Sequence, residues 1–158
     1  VIAARLVRDV MRLTFLIERR YAPYPKWFGS AFARLPSAAA LTPILSRVLA
    51  APDWQTREAA LAETYLAVAM LHRTGGLPGA FEPRLQPFHD RPFTVINADE
   101  IVAAVRAEIA DPVLRARPVI GGLDQVTDST PVIEAPDRAR RAMAALFDDG
   151  EAGAVEDA

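Results

Sequence analysis

Apolar residues recur at helical spacing from the start of the chain. Leu6, Val10, Leu13 and Ile17 stand at i, i+4, i+7 and i+11, which puts them on one face of a helix from Ile2 to Tyr21. Val7, Met11 and Phe15 widen that face, while Arg5, Arg8, Arg12 and Arg19 gather on another side. Pro23 disfavours helical geometry at Ala22 and is expected to end the helix. The pattern is already running at the first residue, with no capping residue before it, so the chain reads as a fragment of a longer one.

The remaining elements follow from caps and breakers. Pro25 suits the first position of a short helix to about Leu35. Ser37 is placed to cap a helix reaching Ala50, with Pro43 tolerated near its first turn or at a kink. Asp53 caps the clearest helix, Trp54 to Thr74, which Gly75-Gly76 closes. Residues 77–93 hold Pro78, Pro83, Pro87 and Pro92 and predict an ordered, irregular loop. Phe93 to Ile96 has strand character, but four residues make no sheet. Asn97 caps a helix from Ala98 to Ala110, Asp111-Pro112 opens a short turn that Gly121-Gly122 breaks, and Ala135-Pro136 opens a last helix to about Phe147. Asp148 to Ala158 is acidic, small and aperiodic, and is expected to be disordered. The expected fold class is all-α, an irregular bundle of about six helices with a proline-rich loop, in a single domain over 1–147.

Composition narrows the function classes. At 158 residues with 51% apolar content, the chain can bury the core of one domain. No run of about 18 uninterrupted apolar residues occurs, so no membrane partner is expected. Arg5, Arg8, Asp9 and Arg12 interrupt any secretory signal at the start. The absence of cysteine excludes disulfides and thiolate chemistry, and a reducing cytoplasm is the expected compartment. The net charge of −2 is unevenly placed: residues 1–50 hold eight basic and two acidic residues, so they carry +6 and the rest −8. The basic third is where a polyanion would dock, or its arginines pair with acids elsewhere in the domain.

The densest cluster of binding chemistry is Glu18-Arg19-Arg20-Tyr21-Ala22-Pro23-Tyr24-Pro25-Lys26-Trp27-Phe28-Gly29-Ser30-Ala31-Phe32. Two prolines pin the chain between two helices, and the free N–H groups of the second helix face the turn with its positive dipole end. Lys26 adds a point charge, Arg20 a planar fork suited to phosphate, and Tyr21, Tyr24 or Trp27 a face for a base. The other reading is a packed helix–helix corner with aromatics in the core and cations reaching solvent.

The Glu-Arg-Arg-Tyr-Ala-Pro-Tyr-x-Lys-Trp-Phe-Gly run resembles the helical C-terminal region of bacterial proteins in the domain of unknown function 4037 family. Phe88-His89-Asp90-Arg91-Pro92-Phe93 and Gly122 to Thr130 extend the resemblance, in matching order, over most of residues 5–147. Pro25 stands where a small polar residue is expected, which removes a hydroxyl but leaves the turn. The resemblance implies a nucleotidyltransferase-like parent, with an α/β catalytic domain preceding this helical, accessory one in the same polypeptide. That domain would supply a Gly-Ser pair and an Asp-x-Asp pair holding Mg²⁺ and a nucleoside triphosphate. This chain would bind no cofactor alone but would help hold nucleotide or acceptor. By position Lys26 is the candidate for the triphosphate, with Arg20, Tyr24 and Arg91 beside it; Trp27, Asp124 and Asp128 are candidates for the acceptor or for structure. A nucleic-acid partner is not expected. The alternative is a stand-alone helical module that binds protein or RNA without chemistry.

Other motifs fail on inspection. Gly29-Ser30 imitates the nucleotidyltransferase pair, but the next aspartate is Asp53 and has no acid two residues on, so no catalytic residue is assigned. Arg84 and His89 match the spacing of a class of helical RNases, yet Leu85 and Pro87 break the pattern, and His89 is expected to bond locally and order its loop. His72 is expected in a bonded core or capping role, and two distant histidines make no zinc site. Asp124, Asp128 and Ser129 form a polar cluster that suits capping a helix first, and otherwise binding a cation or contacting an acceptor.

Overall fold

The computed structural model describes residues 2–117, 119, 132 and 134–147. Among them are seven helices and a two-stranded antiparallel sheet. The chain divides into two compact units, Val1–Ile109 and Ala110–Ala158.

The first unit is built on α1 (Ile2–Ile17), α2 (Pro25–Phe32), α3 (Ala38–Ala50) and α4 (Trp54–Thr74). Its core is Val7, Val10, Phe15, Ile17, Phe32, Leu35, Ala38, Leu41, Leu45, Val48, Ala60 and Val68. Burying one such large apolar side chain contributes roughly 1.5–3 kcal/mol. α3 packs along α4 through a three-residue connection, so the two are antiparallel. α1 lies against both and runs parallel to α4, because Ile17 and Gly75, at the C-terminal ends of the two helices, are neighbours.

The inward face of α1 differs from the expected one by a small rotation. Val7, Val10, Thr14 and Ile17 are buried, whereas Leu13 is 46% exposed. The polar residue is accommodated because the Thr14 hydroxyl donates to the Val10 carbonyl at 2.8 Å. Thr64 of α4 is handled the same way, donating to the Ala60 carbonyl at 2.7 Å.

Helix ends follow local chemistry. α1 stops at Ile17, before Pro23 is reached, with Arg19 in the left-handed region at φ 53°. The Arg20 N–H donates to the Phe15 carbonyl at 2.8 Å and the Arg19 N–H to the Leu16 carbonyl at 3.0 Å, the paired bonds of a Schellman stop. Ser37 precedes α3 but makes no side-chain cap there; Glu18 takes that role from the end of α1. Pro43 lies within α3. Asp53 caps α4 by accepting from the Thr56 N–H at 2.7 Å, and this bond holds its carboxyl below the ordinary aspartate range.

The expectation of a purely helical chain is corrected between Leu85 and Ile96. Strands β1 (Leu85–Phe88) and β2 (Arg91–Ile96) pair as a hairpin, with Leu85 opposite Ile96 and Phe88 opposite Arg91. Every strand of a two-stranded ribbon is an edge, so Pro87 and Pro92 are tolerated there. His89 turns the chain at φ 53°, its ring 4.8 Å from that of Phe88. β2 packs on the start of α4: Phe93 meets Trp54 edge-on at 5.8 Å, and the Thr94 N–H donates to Glu58.

Asn97 precedes α5 (Ala98–Ala107), three residues shorter than expected, but makes no side-chain cap. It is instead buried as a bracket between loop and helix. Its Oδ1 accepts from the Arg84 N–H at 3.0 Å, and its Nδ2 donates to the Glu82 carbonyl at 3.1 Å and to Glu100 at 2.9 Å. Hydrogen bonds from Arg84 and Asn97 hold the Glu100 carboxyl below its ordinary range. Gly79, at φ 102°, passes so close to α5 that a Cβ there would lie 3.0 Å from the Val105 backbone nitrogen.

In the second unit, Asp111 caps α6 (Pro112–Ala116) by accepting from the N–H groups of Val113 and Leu114 at 2.8 and 3.1 Å. The last helix, α7 (Pro136–Phe147), carries an Asp137–Arg140 pair at 2.8 Å. Gly121-Gly122 and the tail 148–158 lie outside the described residues.

Candidate functional site

Residues 19–36 leave the bundle at the end of α1 and return at the start of α3. Glu18 fastens the two ends: its Oε1 accepts from the Ser37 N–H at 3.0 Å and from the Ser37 hydroxyl. Inside this excursion Phe28 and Phe32 turn inward onto Phe15, with ring centroids 5.4 and 6.4 Å away. These contacts fix α2 against α1. Arg12 lies over the Phe28 ring at 5.8 Å.

The other aromatics of the excursion face solvent. Tyr21 is 89% exposed, and Tyr24 and Trp27 are each 60% exposed. The packed-corner alternative therefore holds for the phenylalanines and fails for the tyrosines and the tryptophan. Lys26 is exposed with its Nζ 5.5 Å from the Trp27 ring. Arg20, six residues before Lys26, is exposed as well. α2 begins at Pro25 with no acidic residue in its first turn and no side-chain cap from Tyr24.

The charges sort in the same way. Arg19, Arg20, Lys26 and Arg34 make no ion pair among the described residues, whereas Arg47, Arg73 and Arg84 are paired with Glu63, Glu82 and Glu100. No acidic residue occurs between Glu18 and Asp53. The expectation that the N-terminal arginines pair with acids elsewhere thus holds for Arg47 and not for the excursion.

Arg91 is not brought to this corner. It stands two residues before Phe93, which packs on Trp54 at the first turn of α4, while the end of α1 lies at the last turn. A helix of 21 residues separates those ends by about 30 Å. Arg91 instead lies 5.9 Å from the Phe88 ring at the hairpin tip. Asp124 and Asp128 lie outside the described residues. Gly29-Ser30 is helical, within α2. Arg84 is engaged by Glu100, and His72 Nε2 lies 2.9 Å from the Pro78 carbonyl with its ring against Phe81.

One further concavity is an open groove of about 520 Å³ where α3 meets α4, lined by Ala50, Ala51, Pro52 and Ala59 and bounded by the Arg47–Glu63 pair at 2.6 Å. Beyond that pair, Thr56 is the polar residue of its lining. No helix among the described residues is long and apolar enough to cross a membrane.

The sequence singles out Glu18 and Ser37 but not the bond between them, and it leaves Arg34 out of the corner. The acid-free interval from Arg19 to Pro52 was the signal available for Arg34. The Glu18–Ser37 bond spans 19 residues and leaves no local trace.

Fold and corner together define a largely helical protein that presents a cationic, aromatic turn beside its first helix. Residues 1–28, which are α1 and the turn into α2, match the model of the family described as Domain of unknown function (DUF4037), in support of the family identity expected from the sequence. The match lies at the N-terminal end of this chain and does not extend over the 5–147 span of the expected resemblance. No curated protein and no solved structure matches the chain.

Proposed function

We propose that this chain is a non-catalytic accessory domain of a nucleotidyltransferase-like protein, and that the excursion 19–36 binds a phosphate-bearing ligand, nucleotide or acceptor. The observation that supports this most is that Arg19, Arg20 and Lys26, which make no ion pair among the described residues, share with three solvent-facing rings a turn whose ends Glu18 and Ser37 fasten. Lys26 and Arg20 contact phosphate, and Tyr24 and Trp27 offer faces to a base. Arg91 takes no part. The Mg²⁺ and nucleoside triphosphate chemistry belongs to the catalytic domain proposed to precede this one in the same polypeptide.

Calorimetric titration with ATP and Mg²⁺ tests the site. Lys26→Ala is expected to weaken binding about tenfold, roughly 1.4 kcal/mol. Equal binding by wild type and Lys26→Ala would remove the assignment. A second reading, a stand-alone module that docks another protein, draws on the outward face of α1, where Ile2 and Leu16 are 74% and 71% exposed. The reading frame upstream of codon 1 separates the two: a Gly-Ser and Asp-x-Asp pair there supports the first reading and eliminates the second.

A further inference from the structure

The corner offers more stacking surface than one nucleotide uses. Tyr21, Tyr24 and Trp27 fall at three-residue intervals, and all three rings face solvent. Among the described residues no two of these rings stack on each other, and Lys26 lies over Trp27 at 5.5 Å. The rings are therefore separate platforms and not one cluster gripping a single base. Between and beside them the charge is wholly positive: Arg19, Arg20 and Lys26 lie on the same nine-residue strip, and Arg34 at the far end of α2. The nearest acid, Glu18, is engaged with Ser37.

Rings alternating with cations match a ligand that alternates bases with phosphates. We infer that the ligand of this corner is single-stranded nucleic acid, held by stacking and phosphate contact without reading its sequence. This rests on the proposed phosphate-binding role of the corner and names its acceptor class. The whole-chain charge of −2 gave no reason to expect such a partner; its local distribution does. A duplex fits the corner poorly, because paired bases hide the faces that the three rings would cover.

The test is fluorescence anisotropy of the 158-residue chain with end-labelled 12-nucleotide oligo(U) and oligo(A), with ATP–Mg²⁺ and a 12-base-pair duplex as competitors. Both oligonucleotides are expected to bind at least about tenfold more tightly than ATP–Mg²⁺ and the duplex, as several stacked bases exceed one. Affinity is expected to fall with salt at a log–log slope of about −2 to −3, and Lys26→Ala to reduce that slope by about 0.7. Trp27→Ala and Tyr24→Ala are each expected to weaken binding about 5- to 100-fold with the circular dichroism spectrum unchanged. Lys26-dependent ATP binding without tighter oligonucleotide binding overturns this inference and leaves the phosphate site standing. Absence of binding to both overturns both. Oligonucleotide binding that is indifferent to Trp27, Tyr24 and Lys26 places the ligand elsewhere and overturns the inference.

Discussion

Glu18 at the end of α1 accepts two hydrogen bonds from Ser37 at the start of α3, through the backbone N–H at 3.0 Å and through the hydroxyl. The carboxylate also places a negative charge at the N-terminus of α3, whose own first turn has no acidic residue. Ser37→Ala removes one bond and is expected to cost about 1 kcal/mol, while Glu18→Ala removes both and should cost about 2 kcal/mol. Denaturant unfolding measures the two; equal losses would show that the backbone bond contributes nothing.

Arg19 holds a left-handed conformation that suits glycine. Arg19→Gly is expected to raise stability by about 0.5–1 kcal/mol, since the Schellman bonds need only the backbone. The same variant loses one cation of the corner, so oligonucleotide binding should weaken as stability rises. A fall in melting temperature would contradict the geometry.

Asn97→Ala leaves the Arg84 N–H and the Glu82 carbonyl without the partner that a buried side chain supplies. A loss of about 2–3 kcal/mol is expected. Hydrogen exchange should quicken first in β1 and β2, whose open end Asn97 ties to α5. Uniform quickening over α1 to α4 would place the role of Asn97 elsewhere.

Asp53 gives a pH dependence whose sign is fixed by its cap. Its carboxyl titrates lower in the folded chain than in the unfolded one, chiefly through the Thr56 N–H. The cap's stabilisation is present above the ordinary aspartate value and is lost as the pH falls through the folded one. Asp53→Asn keeps a good capping residue and removes the titration. Its acid unfolding curve should therefore be flatter than the wild type below about pH 4. An identical acid limb in the two proteins would mean that other carboxylates govern it.

Helices α2 and α4 were legible because Pro25, Asp53 and Gly75-Gly76 act within a turn of themselves, whereas α3 starts after Ser37 without the side-chain cap that its sequence suggests. What lay beyond reach was what depends on distant partners. Pro87 and Pro92 read as loop residues because nothing local says that a ribbon has no interior strand. Thr14 concealed the inward face of α1, since a polar residue in that register counted against it. The corner's composition was plain in the sequence, but its exposure was not. Phe28 and Trp27 are adjacent and aromatic, and only the position of Phe15 decides which of them turns inward.

Helix α4 also acts as a ruler. It holds the hairpin tip with Arg91 at one end and the corner at the other, at least about 20 Å apart along its axis. Groups so far apart share no bound mononucleotide and no common neighbour. Their energetic effects should then be independent, so that in ATP binding the Lys26→Ala/Arg91→Ala double variant behaves as Lys26→Ala alone.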